Sequence, residues 1–167
     1  MNSMNRRLLF RGLFFGCLLA CVWPLTACSF ITNFVIVNAS NQPLEVRYKL
    51  KPPADPRAPS GEPVVPPATK PVSQLQQEIS WNQLSASQYT LDREKREVIV
   101  SLPPGQALLV EQRNLVDGPT DEAHQAANFS IEEIYLSGAG KQIHLQGDEV
   151  RKRFVPESKK LYTITYP

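Results

Sequence analysis

Three cysteines and two histidines are the scarcest reactive side chains of this 167-residue chain, and their placement limits its chemistry. Cys17, Cys21 and Cys28 all lie within the first 28 residues. Nothing downstream therefore offers a thiolate nucleophile, a thiolate metal ligand or a disulfide. His124 and His144 stand apart, with no second His or Cys at ligand spacing, which argues against a metal centre. A hydroxyl nucleophile would need one of these imidazoles as its base, and no Gly-x-Ser-x-Gly elbow occurs. Gly138-Ala139-Gly140-Lys141 has the look of a phosphate loop, but Tyr135 stands where that pattern needs Gly and Gln142 where it needs Ser or Thr. The strand-like Ile143-His144-Leu145 follows instead of a helix, so a turn is expected. Glu132-Glu133 and Asp121-Glu122 are adjacent acids, and neighbours on a strand point to opposite faces. The expectation is no enzyme, no cofactor and no metal.

Two segments carry binding potential instead. Arg151, Lys152 and Arg153, with Lys159 and Lys160 beyond Pro156, form a basic cluster that a turn would gather into one patch, diluted by Glu149 and Glu157. Such a patch suits anionic headgroups or simply keeps a surface wet. Between Pro52 and Pro71 there are eight prolines in twenty residues, an extended polyproline composition poor in core residues. Within it Pro53, Pro56 and Pro59, then Pro63 and Pro66, keep the P-x-x-P spacing that aromatic grooves on partner proteins recognise.

The remaining cysteine chemistry lies at the start of the chain. Arg6, Arg7 and Arg11 precede an apolar run from Leu13 to Val22, and Leu25-Thr26-Ala27-Cys28 ends it. A basic head, an apolar stretch too short to span a bilayer comfortably and a small-residue cleavage site make a removable signal. The four residues at its end resemble the lipobox of a bacterial lipoprotein. That resemblance implies a diacylglyceryl thioether on Cys28, cleavage before it and acylation of the new amine, so residues 1–27 would be leader. Ser29 stands where an Asp would retain an enterobacterial lipoprotein in the inner membrane, so in a two-membrane bacterium the resemblance implies the periplasmic face of the outer membrane. In such a protein the sequons Asn38-Ala39-Ser40 and Asn128-Phe129-Ser130 carry little weight.

Removing the leader changes the charge balance. All three of its charged residues are basic, so the 18 Lys and Arg fall to 15 against 16 Asp and Glu. The near-neutral remainder gives no electrostatic support for nucleic-acid binding. About 140 residues suffice for one core, and one domain over 34–167 is expected after a tether of residues 28–33.

The elements expected to position these groups are mostly strands. Phe34 to Val37 is a short β-branched run, and Leu44, Val46, Tyr48 and Leu50 alternate with charged residues, the period of a half-buried strand. Two strands cannot stand alone, so the proline segment at 52–71 is expected as an insertion within one fold. Residues 73–91 are ambiguous, with helical spacing at Leu75 and Ile79. Tyr89 to Leu91 and Val98 to Leu102 flank a charged hairpin tip, and Ala107 to Val110 opens another strand after Pro103-Pro104-Gly105. A short helix is expected from Thr120 to Ala127. Ile131 to Leu136 and Ile143 to Leu145 flank a Gly-rich hairpin, and Tyr162 to Tyr166 is a last strand. Many short strands without a βαβ pattern predict a mostly β protein, an antiparallel β-sandwich with one or two short helices. An immunoglobulin-like order is the nearest pattern by strand count, without that family's Cys and Trp landmarks.

The expected function follows: a lipid-anchored envelope protein with a non-enzymatic binding or assembly role, its partner an envelope protein. The alternatives are a periplasmic inhibitor of a lysozyme or protease, and a component of a secretion machine, since type VI outer-membrane lipoproteins share the anchor and a small β-sandwich.

Overall fold

Leu44, Val46, Tyr48 and Leu50 are buried while Glu45, Arg47 and Lys49 between them face outward, so this alternation sets the central strand of one sheet. The computed structural model describes residues 29–52, 66–77, 80–116 and 129–167, with backbone alone for residues 29, 30 and 114–116. In chain order the strands are β1 Ser29–Asn38, β2 Leu44–Leu50, β3 Ala68–Pro71, β4 Asn82–Gln83, β5 Tyr89–Asp92, β6 Glu97–Leu102, β7 Gln106–Val116, β8 Ile131–Gly138, β9 Lys141–Gln146, β10 Val155–Ser158 and β11 Leu161–Tyr166. A 3-10 turn at Val72–Gln74 and one short helix, α1 Asp148–Arg153, complete the described elements.

The chain is a β-sandwich. A six-stranded sheet ordered β10-β11-β1-β7-β3-β4 faces a five-stranded sheet ordered β5-β6-β2-β8-β9. The pairs are antiparallel except one: β11 runs parallel to β1, with Phe34 opposite Tyr162 and Ile36 opposite Ile164. β1 and β2 lie in opposite sheets, whereas an immunoglobulin domain pairs its first two strands in one sheet. The strand order is therefore not that of the immunoglobulin pattern.

The main core fills the space between the sheets with Phe34, Ile36, Tyr48, Leu108, Val110 and Ile134 among its members. Val35, Val37, Ala107 and Leu109 point the other way into a second cluster, covered by Val72, Leu75 and Trp81. β1 and β7 are thus buried on both faces, which is why they read as continuous apolar runs. The covering segment is a strap with Val72, Leu75 and Trp81 as single apolar anchors, and among the described residues the ambiguous range 73–91 otherwise holds the end of the 3-10 turn, β4 and most of β5, too short to show a period.

Corners are fixed by specific side chains. Asn38, fully buried, donates through Nδ2 to Gln42 O at 2.8 Å and Leu102 O at 2.9 Å, and its Oδ1 accepts from Ser40 N at 3.1 Å. These bonds close the crossover from one sheet to the other and occupy the sequon asparagine. The hairpin between β8 and β9 turns on Ala139 (φ 46°) and Gly140 (φ 72°), both left-handed as a two-residue primed turn requires. Tyr166 Oη lies within hydrogen-bond reach of Gly138 O and, at 2.8 Å, Lys141 O, which share its single O–H. The Gly-Ala-Gly-Lys segment is a hairpin turn tied to the C-terminal strand.

Candidate functional site

The basic cluster and the first described residues of β1 meet at one end of the sandwich. β1 begins at Ser29, opposite Val116 of β7, and β11 joins only at Asn33 opposite Leu161. Among the described residues, the first of β1 and the last of β7 therefore form a two-stranded ribbon standing beyond their neighbours. Residues 29–33 of the expected 28–33 tether are part of this ladder, paired with Val116 to Gln112 of β7.

The same end carries the basic cluster. β2 descends to Leu50 opposite Ile131, β9 finishes with Gln146 opposite Glu133, and Gly147 N donates to Glu132 O at 2.9 Å, which places α1 there. The turn between β10 and β11 is fixed to β1 by Thr32 Oγ1 donating to Lys159 O at 3.0 Å and Asn33 N to Lys160 O at 2.9 Å. Arg151, Lys152 and Arg153 occupy the last turn of α1, where cations suit the helix dipole, and Asp148 and Glu149 its first turn. The three are not equivalent. Lys152 and Arg153 are exposed, whereas Arg151 is half-buried, its guanidinium carbon 5.0 Å from the Phe34 ring centre and 4.6 Å from that of Tyr162. Arg151 closes the aromatic end of the core, while Lys152 and Arg153 are available to a partner.

A second candidate is the outer face of the five-stranded sheet, a hollow of about 450 Å³ whose lining includes Arg47, Lys49, Glu133, Tyr135, Ser137 and His144. His144 Nε2 and Glu133 Oε1 are 2.6 Å apart, Arg47 lies 3.3 Å from Glu45 and 3.9 Å from Glu97, and Lys49 lies 3.6 Å from Glu132. Adjacent Glu132 and Glu133 do not take opposite faces. Lys49 opposes Glu133 and Leu50 opposes Ile131, so Glu132 is an extra residue in β8, a bulge that turns both carboxylates outward. The spacing of three between buried Ile131 and Ile134 was the signal in the sequence. Chemically the face is a lattice of mutually paired charges: the imidazole is engaged by a carboxylate, and no hydrogen bond among the described residues joins it to a hydroxyl.

Sequence reasoning missed Lys70. It falls inside the proline-rich range, yet β3 begins at Ala68 and buries Lys70 beneath Trp81. Three residues without proline, Ala68-Thr69-Lys70, were the available sign of a strand. Pro66, two residues before β3, is exposed. Cys28, Pro53, Pro56, Pro59, Pro63, His124, the acids Asp121 and Glu122, and the helix expected at Thr120 to Ala127 lie outside the described residues. Among the described residues no helix is long and apolar enough to cross a membrane, and no group of three or more His, Cys, Asp or Glu is placed to hold a metal ion. Compared with family models, curated proteins and solved structures, the chain matches none.

Proposed function

We propose that this chain is a lipid-anchored envelope lipoprotein whose single domain has a non-enzymatic binding or assembly role at the periplasmic face of an outer membrane. The observation that carries the reading is the order Arg6, Arg7, Arg11, apolar run, Leu25-Thr26-Ala27-Cys28. The fold is compatible with it, because Ser29, the residue after Cys28, already belongs to β1. Two or three acyl chains at about 0.8 kcal/mol per buried methylene would hold the domain on its bilayer.

Such an anchor would set one end of the sandwich against the membrane. The proline-rich segment is rooted at that end, leaving after Leu50 of β2, and so is the segment that follows Val116, which pairs with Ser29. An envelope protein recognised through Pro53, Pro56, Pro59, Pro63 and Pro66, or through Lys152 and Arg153, would be met close to the bilayer. Metabolic labelling with a clickable fatty acid tests the anchor. The wild-type protein is expected to take up the probe and fractionate with outer membranes, and Cys28→Ala to lose both properties. An unlabelled wild type, or a labelled Cys28→Ala, would remove the basis of the reading.

A further inference from the structure

We propose that β9 is a pairing edge for a second copy of this chain, the two β9 strands running antiparallel about a two-fold axis at His144. Among the described residues the five-stranded sheet ends at β5 and β9, and the six-stranded sheet at β4 and β10. Exposed edges are commonly blunted by shortness, proline, bulges or charge. β4 has two residues, β5 has four and ends on Asp92, and β10 has four with Pro156 and a register shift beside it. β9 keeps six residues in an unbroken ladder with β8, without proline, and Lys141 beside the turn is its only Lys, Arg, Asp or Glu.

The hairpin decides which backbone groups of β9 face outward. Gly138 and Lys141 close a two-residue turn as a hydrogen-bonded pair, and Gly147 N donates to Glu132 O at 2.9 Å. By alternation, Lys141, Ile143 and Leu145 bond to β8, while Gln142, His144 and Gln146 turn N–H and C=O to the outer side, where no strand pairs with them among the described residues. A two-fold axis at His144 engages all of these groups, with His144 opposite its own copy and Gln142 opposite Gln146. The same register is self-complementary in its side chains. Ile143 and Leu145 pack on the main core, so each meets the other's copy on the apolar face, and exposed Gln142, His144 and Gln146 meet on the polar face. Exposed Lys141 comes opposite Gly147 of the second copy, next to the exposed acids Asp148 and Glu149 that open α1. Opposite charges are thus brought together twice, once at each end of the shared ladder. An axis along a bilayer normal keeps both Ser29 ends at one height. The pairing is independent of whether Cys28 is acylated.

Disulfide trapping of the full chain in neutral detergent micelles tests this. Opposed residues of an antiparallel pair lie within the Cα separation a disulfide spans. Mass spectrometry of the joined peptides separates a bond at residue 144 from any through Cys17, Cys21 or Cys28. His144→Cys is expected to join to its own copy on mild oxidation, well above Thr90→Cys on the opposite edge of the same sheet. A mixture of Gln142→Cys and Gln146→Cys is expected to join one to the other more than either to itself. Adding Lys141→Glu to His144→Cys should raise the protein concentration needed for the same yield about tenfold, since two charge pairs become repulsive. Adding Asp148→Lys and Glu149→Lys to that variant should restore the yield, which a folding defect would not allow. A yield at His144→Cys no higher than at Thr90→Cys would overturn the proposal, whether the edge is covered or simply unpaired. So would a yield that Lys141→Glu leaves unchanged.

Discussion

Tyr48 sits at the centre of the main core, 1% exposed, and its hydroxyl has no hydrogen-bond partner among the described residues. Burial, and secondarily the neighbouring Tyr89, push its ionisation well above the ordinary phenol value of 10.0. The group is neutral in the fold, and its folded value lies above the unfolded one. Its contribution to stability is therefore complete below about pH 10 and is lost as the pH rises further. Removing an unsatisfied buried hydroxyl relieves a desolvation cost. Tyr48→Phe is expected to leave the urea unfolding free energy at pH 7 unchanged or higher by up to about 1 kcal/mol, and to weaken the destabilisation above pH 10. A loss of more than about 1 kcal/mol at pH 7 would show that the hydroxyl is hydrogen-bonded after all. Asp92 behaves oppositely at the surface: the backbone N–H of Lys95, at 3.0 Å, holds its carboxyl below the usual range and fixes the turn between β5 and β6.

Elements were legible where a local pattern decides them. β2 shows strict alternation, and the β5–β6 and β8–β9 hairpins are bracketed by turn residues, so their pairing follows from chain order. The short edge strands β4 and β10 bury nothing, β3 is only four residues long, and α1 sends only Val150 into the core, too few anchors to print a period on the sequence. The parallel pairing of β11 with β1 joins the two ends of the described chain and leaves no local trace. Gly138 shows how tightly the ends of such elements pack. A Cβ there would lie 3.0 Å from Pro43 O and 3.4 Å from Leu44 Cα, both backbone atoms that cannot swing away. Gly138→Ala is expected to cost about 1–3 kcal/mol in urea unfolding. Ala139→Gly, one residue later at φ 46°, is expected to be neutral or to stabilise by up to about 1 kcal/mol. Equal effects at the two positions would contradict the close approach of β8 to the start of β2.

At the scale of the molecule, the lipobox-like stretch and the basic cluster were visible as separate stretches of sequence, but the meeting of Ser29, which follows the first, with the second was not. It depends on strand order, which puts Ser29, α1 and the Lys159-Lys160 turn together. The buried Lys70 was hidden for a similar reason, since only a strap crossing the outer sheet face converts an exposed lysine into a buried one. No cysteine lies beyond Cys28, so the sandwich is held by its two apolar clusters without disulfides. The proposed biology rests on chemistry at one sulfur. Mass spectrometry of the N-terminal peptide of the protein purified from its own envelope tests it most directly. The expected peptide starts at Cys28 and carries the mass of a diacylglyceryl group, with or without a further acyl chain on its amine. A peptide that starts elsewhere, or at Cys28 with a free thiol and amine, would contradict the lipoprotein reading.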